Sequence, residues 1–190
     1  MRFSHVAALA STAVLLAAAV AGCSDTPPPP PKGGYSVEFS PGTAGMCNLQ
    51  PHNGDVGMVS GTSASGVVAN GDSGAEITCT VSGSGTFAVD ASAAASGNAL
   101  TVHIPKIDTK ATATNPAHGT ASFASPNTSG IAYASPADKP CDFWFEGSQT
   151  VASGKIWASF SCDDVSDGMH DCALPTGVIV FENCSTGAAQ

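Results

Sequence analysis

The sequence predicts one all-β domain, a jelly-roll-like β-sandwich of antiparallel strands with three disulfide bonds. Three observations support this fold class. After residue 34, apolar residues alternate with polar ones and do not recur at helical spacing. Clusters of Gly, Pro, Asn and Ser separate the alternating runs, as turns separate short strands. Six cysteines lie within or beside these runs, at positions suited to bridging them.

Alternating runs account for the expected strands in chain order. In residues 76–81, Ile77, Cys79 and Val81 share one face while polar residues take the other. The same period recurs in later runs, at residues 87–91, 100–104, 121–123, 141–145, 156–162 and 178–184. Such runs with turns between them are typical of a sandwich or barrel. The glycine-rich stretch between Pro41 and Gly66 predicts irregular loops instead.

Charge excludes some classes of partner. The chain carries 6 basic and 15 acidic residues, a formal net charge of −9. Nucleic-acid binding needs clustered Lys and Arg, which the sequence lacks. Docking on an anionic lipid surface through charge alone is disfavoured for the same reason.

The first 22 residues predict a signal peptide. Arg2 precedes an uncharged apolar stretch at residues 6–21, which is short for a helix crossing about 30 Å of hydrocarbon. The stretch ends in Val20-Ala21-Gly22-Cys23, which resembles the lipobox of bacterial lipoproteins. The resemblance implies cleavage after Gly22 and lipid on the thiol and new amino group of Cys23. The mature chain is then expected to be held to a membrane.

A linker is predicted at residues 23–34, followed by the β domain at residues 35–190. Five prolines at residues 27–31 favour polyproline II, which rises about 3.1 Å per residue and could hold the domain roughly 30 Å from the bilayer. Ser24 after the modified cysteine favours the outer membrane over the inner one, by the sorting habit of enterobacterial lipoproteins. The predicted location is the cell envelope.

Lipid on Cys23 leaves six cysteines for disulfides. Export to an oxidising compartment favours bridges, and no C-x-x-C pair supports zinc. Nearness in sequence favours three pairs, with Cys141–Cys162 as a cross-strand alternative. The favoured pairs are Cys47–Cys79, Cys162–Cys172 and Cys141–Cys184.

An acidic segment is a candidate calcium site. It holds Asp163, Asp164, Asp167 and Asp171, with a histidine beside the last of them. Residues 163–168 match some positions of an EF-hand loop, but the third position is valine and the twelfth is leucine, so an EF-hand is excluded. An irregular calcium site and a solvated acidic loop both remain possible, and no other cofactor is expected.

The two tryptophans, Trp144 and Trp157, are candidate binding residues. If Phe145 pairs with Ile156, the indoles lie directly across from each other as a cross-strand pair. Exposed, they would form a platform for a sugar or a peptide. Buried beneath a second layer, they would belong to the core.

A second register for this hairpin remains open. If Cys141 lies opposite Cys162, the pairing slips by two residues. Trp157 then faces Glu146.

A protease-like motif lacks its partners. Residues 71–74, Gly-Asp-Ser-Gly, resemble the nucleophile sequence of chymotrypsin-like proteases. That family spreads His, Asp and Ser over two barrels, whereas His52, Asp55 and Ser73 fall within 22 residues here. A turn explains the same residues. We therefore expect no enzyme.

The sequence favours a lipid-anchored envelope protein with a non-enzymatic β domain that is structural or binds a partner. A glycan or an envelope protein is the expected partner, and the chain is expected to be a monomer. A carbohydrate-binding module using the two tryptophans is the alternative. A hydrolase is the weakest hypothesis, which a Ser–His contact or convergent carboxylates would revive.

Overall fold

A computed structural model describes residues 27–42 and 46–187. The predicted signal peptide and Cys23 lie outside the described residues. Within the described ranges the chain forms fourteen strands and two short 3-10 turns, with no α-helix. In chain order the strands are β1 (Lys32–Ser40), β2 (His52–Val56), β3 (Met58–Ser60), β4 (Ser63–Gly66), β5 (Val68–Ala69), β6 (Glu76–Ser84), β7 (Thr86–Ala95), β8 (Asn98–Asp108), β9 (Ala117–Ala124), β10 (Tyr133–Ala134), β11 (Cys141–Trp144), β12 (Thr150–Ala152), β13 (Lys155–Ser166) and β14 (Asp171–Glu182).

The all-β, antiparallel prediction is confirmed. Twelve strands form one sheet, in which β2-β1-β14-β13-β10-β9-β8-β7-β6 is the main path. β11 bridges β13 and β9, so the two halves of the sheet share one hydrogen-bonded surface. The sheet folds over so that β1 and β2 approach β6, β7 and β8 from the other layer. The result is a sandwich whose layers are joined along one side.

The described part of the stretch between Pro41 and Gly66 is more regular than expected. β2 adds to the edge of β1, with Tyr35 opposite Val56 and Phe39 opposite His52. β3 and β4 form a separate hairpin. Val59 of this hairpin packs with Val178 and Val180 on the outer face of β14. The sequence did not indicate these strands, because the glycine-rich segment shows no clear alternation. β2 forms by pairing with β1, and the β3–β4 hairpin packs on β14.

The core lies between the two layers and is built around aromatic rings. Phe143 and Phe160 stack at 5.3 Å between ring centroids, and Phe39 meets Tyr133 edge-on at 5.2 Å. Such pairs add to the free energy of burial. The largest fully buried side chains are Tyr35, Phe39, Phe123, Phe143, Phe160, Phe181, Ile77, Leu100, Ile104, Ile107, Ile156 and Leu174.

Two cross-strand pairs join a glycine to an aromatic ring. Gly33 of β1 lies opposite Phe181, and Gly177 of β14 lies opposite Phe160. A Cβ on Gly177 would come within 2.3 Å of the Phe160 ring, and one on Gly33 within 2.6 Å of the Phe181 ring. The rings therefore occupy the space that side chains would fill, which compensates for glycine in a strand.

Three disulfides join all six cysteines after residue 46: Cys47–Cys172, Cys79–Cys184 and Cys141–Cys162. The expected number is confirmed, and so is the alternative Cys141–Cys162 pair. The pairs Cys47–Cys79, Cys162–Cys172 and Cys141–Cys184 are wrong.

Strand register explains the wrong pairing. Cys162 lies opposite Leu174 and Cys172 opposite Val165, so these two neighbouring cysteines are out of step across the β13–β14 hairpin. Cys79 lies on β6, far along the sheet path from β14, yet folding of the sheet brings it to Cys184. Nearness in sequence is a poor guide where sheet closure sets the contacts.

The domain begins earlier than the predicted boundary at residue 35. β1 starts at Lys32, and Gly33 and Gly34 are buried. Asn183 Nδ2 donates to the Pro30 carbonyl at 3.2 Å, and the backbone N–H of Asn70 donates to the Pro31 carbonyl at 2.9 Å. The last two prolines are therefore docked on the domain.

Gly177→Ala should lower the free energy of unfolding by about 2 kcal/mol, because the new methyl group overlaps the Phe160 ring. Urea unfolding followed by circular dichroism measures this loss. Gly61→Ala is the matched control, since the nearest atom to its Cβ is 3.8 Å away, and should change stability by less than about 0.5 kcal/mol. Equal losses in both variants would contradict the role of the ring.

Candidate functional site

The hairpin that carries the tryptophans adopts the second register. Trp144 lies opposite Ser159, as it must when Cys141 and Cys162 face each other. The register that pairs Phe145 with Ile156 is wrong. Trp157 lies opposite Thr150 of β12 and not opposite Glu146, because β11 ends at residue 144 and β12 resumes the pairing.

Both indoles are half-buried on the outer face of the sheet. Trp144 Nε1 donates to Glu146 Oε1 at 2.7 Å, and Trp157 Nε1 donates to the Ser60 carbonyl at 3.2 Å. The rings have different cross-strand partners, so the expected two-ring platform does not form. Neither ring belongs to the central core, but Trp157 packs, partly buried, against the smaller cluster of Val59, Val178 and Val180. Each indole occupies a separate environment.

Gln149 fastens the β3–β4 hairpin to the sheet beside Trp157. Its side chain is buried in the gap between β11 and β12. Oε1 accepts from the backbone N–H groups of Ser159 at 3.0 Å and Glu146 at 3.1 Å. Nε2 donates to the Gly61 carbonyl at 3.1 Å. One amide thus replaces the missing strand hydrogen bonds and positions the hairpin.

A groove of about 190 Å³ lies between this hairpin and the sheet. Trp157 and Val180 contribute apolar lining, and Thr150, Lys155 and Glu182 contribute polar groups. Pockets that bind small molecules combine an apolar lining with a few polar groups in this way. Trp157 lines this groove and Trp144 does not.

The acidic segment is spread across the end of the β13–β14 hairpin. Asp164 forms an ion pair with Lys139 Nζ, and the charges of Asp171 and Asp138 also act on this ammonium. Asp163 is exposed to solvent. Lys139, whose side chain is itself largely exposed, is therefore the counter-ion of Asp164. In the part of the chain that the structure describes, no three His, Cys, Asp or Glu side chains converge as metal ligands.

Asp167 is held by its own turn. Oδ1 accepts from the backbone N–H groups of Met169 at 2.8 Å and His170 at 2.7 Å, and Oδ2 contacts His170 Nδ1 at 3.1 Å. These contacts, the His170 ring first, hold the pKa of Asp167 well below its usual range. Burial raises the pKa of Tyr133 above its usual value, and the nearby charge of Asp167 adds to the shift.

The protease-like motif forms an exposed turn. Residues 72–74 make a 3-10 turn in which Ser73 has a left-handed φ of 51°. The turn closes when Ala75 N donates to the Asp72 carbonyl at 2.9 Å. The turn interpretation is confirmed.

A Ser–His contact occurs elsewhere, between residues that the sequence analysis did not connect. His52 Nδ1 donates to the Gln50 carbonyl at 2.9 Å, so Nε2 of the neutral ring accepts from the Ser125 hydroxyl at 2.9 Å. Ser125 is 1% exposed and caps a 3-10 turn by accepting from Thr128 N. A substrate cannot reach this hydroxyl, so the contact is structural. Only the fold could reveal it, because the partners are 73 residues apart.

Two further histidines pair with aspartates across strands. His103 Nδ1 contacts Asp90, and His118 Nδ1 contacts Asp142 at 2.8 Å. All four side chains are about half exposed or more. Exposed pairs of this kind contribute at most about 1 kcal/mol to the free energy of unfolding. The two pairs therefore add little to the stability of the sheet.

Asp167→Asn should weaken the pH dependence of stability. A carboxyl whose folded pKa is depressed contributes stability above its ordinary pKa of about 4, and that contribution disappears as pH falls toward the folded value. The difference between wild type and variant should therefore be largest at neutral pH and shrink in acid. Urea unfolding at several pH values measures it, with exposed Asp163→Asn as control. A difference independent of pH would contradict the assignment.

The described residues contain no helix that is both long and apolar enough to cross a membrane.

No family model, curated protein or solved structure matches the chain. Function must therefore be argued from the geometry of the molecule itself.

Proposed function

We propose that the chain is an exported protein, held to the cell envelope by lipid on Cys23, whose non-enzymatic β domain is structural or binds a partner. The observation that carries this proposal is the disulfide set. Two of the bridges join segments 125 and 105 residues apart, and structural disulfides of this kind are typical of proteins that fold in an oxidising compartment. The outer membrane is the proposed site, and the domain is proposed to act as a monomer.

The contacts of Pro30 and Pro31 with the domain shorten the free segment that would link the domain to a lipid on Cys23. Six residues lie between Cys23 and Pro30, the first residue that hydrogen-bonds to the domain, so the two are seven Cα–Cα steps apart. A chain of this length spans at most about 25 Å. Lipid on Cys23 would therefore hold the start of β1 close to the membrane surface, somewhat closer than the linker boundary at residue 34 implies.

A non-enzymatic role agrees with the chemistry of the described residues. The hydroxyl of Ser125 is buried against His52, and Ser73 lies in a turn of its own. Asp164 is paired with Lys139, and Asp167 accepts from N–H groups of its own turn, so two of the four candidate calcium ligands already have partners.

Cys23→Ala should release the protein from the membrane fraction, because it removes the thiol that lipid would modify. Fractionation of expressing cells, with intact-mass analysis of the extracted wild-type chain, provides the measurement. The wild type should begin at residue 23 and carry acyl groups, and Ser24→Ala should remain anchored. A Cys23→Ala chain that stays with the membranes, beside a wild type without lipid, would contradict the anchor.

A carbohydrate-binding module is the second candidate, and the groove beside Trp157 favours it. A sugar ring could pack on the indole while its hydroxyls bond Thr150, Lys155 or Glu182. The envelope role and glycan binding are compatible, since one concerns location and the other a ligand.

Trp157→Ala should lower affinity for a bound oligosaccharide at least tenfold, because aromatic anchors dominate small binding surfaces. Titration with neutral hexose and N-acetylhexosamine oligosaccharides, followed by calorimetry, tests this. Trp144→Ala is the control and should bind like the wild type. If the wild type binds none of these sugars, or both variants lose binding equally, the glycan site is wrong.

A further inference from the structure

The end of the domain opposite the docked prolines exposes several apolar side chains. β1 runs about 27 Å from Lys32, beside the prolines, to Ser40, which pairs with Ala173. Large apolar side chains surround this far end in solvent. Met46 is 57% exposed, Ile131 is 52% exposed and Met169 is 75% exposed.

Three separate segments bring these side chains to the same end. The Cys47–Cys172 bridge ties the residue after Met46 to the strand that follows Met169. Ala134 pairs with Ser166, the last residue of β13, and the charge of Asp167 acts on Tyr133, so the segment that carries Ile131 approaches the turn that carries Met169. Scattered exposed apolar residues are ordinary, but a group gathered from three segments marks an interaction surface.

A cleft lies at the same end of the domain, because His52 in its lining pairs with Phe39 near the end of β1. Its volume is about 430 Å³, and its lining includes Leu49, His52 and Asn127. The floor is held firmly, because the His52 ring stacks on Phe39 at 4.8 Å and bonds Ser125. We define the distal surface as this cleft and its apolar neighbours: Met46, Leu49, His52, Asn127, Ile131 and Met169.

Charge beside the distal surface indicates what fits it. The adjoining segments carry five carboxylates and one lysine, Lys139. The carboxylates belong to Asp138, Asp163, Asp164, Asp167 and Asp171. Acidic groups around apolar side chains attract a partner that carries Lys or Arg beside its own apolar residues. Methionines suit such a surface because their flexible thioethers adapt to different shapes.

We propose that the distal surface docks an envelope protein through a segment that combines apolar side chains with Lys or Arg. The surface goes beyond the groove at Trp157, since it lies at the other end of β1. That it faces away from the membrane rests on the proposed anchor at Cys23. The docking itself depends only on the described residues.

Site-specific photocrosslinking in the cells that make the full chain tests the proposal. p-Benzoylphenylalanine replaces Met169 in one variant and Met58 in another, since Met58 is 84% exposed on the β3–β4 hairpin. We expect a discrete protein adduct at Met169, with at least fivefold less at Met58. Mass spectrometry of the adduct should place the crosslink in a partner segment that contains Lys or Arg.

Further substitutions in the variant that carries p-benzoylphenylalanine at position 169 test the contributions of charge and of apolar contact separately. Asp163→Lys and Ile131→Asp should each lower the adduct yield at least fivefold, while Glu76→Lys, exposed on β6, should not. Circular dichroism of each purified variant confirms folding.

Several results would overturn the proposal. They are no adduct, equal adducts at Met58 and Met169, an adduct of twice the chain mass, an adduct with glycan or lipid alone, and a partner segment without Lys or Arg. Membrane fractionation of the same cells keeps the anchor separate. An anchored chain without an adduct refutes only the docking surface, whereas a released chain with the adduct refutes only the anchor.

Discussion

Closure of the folded sheet at β6 is the constraint on which the structure depends. Val81 N donates to the Ser185 carbonyl and Ser185 N to the Cys79 carbonyl, so the edge of β6 pairs with the segment after β14. The Cys79–Cys184 bridge fixes this closure covalently. Without it β6 would be an open edge of the kind that promotes aggregation, and one side of the core would face water.

The same closure explains how much the sequence could predict. Alternation identified the longer strands after residue 75 but not the short strands β10 and β12, because a two-residue period is visible only where several consecutive residues bury one face. It could not identify the partners of Cys47 and Cys79, since those depend on which edges meet when the sheet folds. Glycine-rich β2, β3 and β4 also escaped prediction, because they gain their order from β1 and β14 and not from their own side chains.

For the candidate site residues as well, local features could be predicted from the sequence and long-range contacts could not. The sequence indicated that Trp144 and Trp157 lie on paired strands, yet the register, and with it the environment of each indole, depended on one disulfide. The acidic segment was visible in the sequence, but the role of Lys139 as its cation was not, because it lies 25 residues before Asp164. The contact of His52 with Ser125 had no local signal at all.

The docking of Pro30 and Pro31 has a mechanical consequence. Any pull that enters through the N-terminal segment reaches the domain at Lys32, the first residue of β1. β1 lies between β14 on one side and β2 and β5 on the other, and its hydrogen bonds run perpendicular to the strand. Force along the strand therefore loads these bonds together in shear, instead of opening them one after another. The chain enters the fold at a place suited to bearing tension.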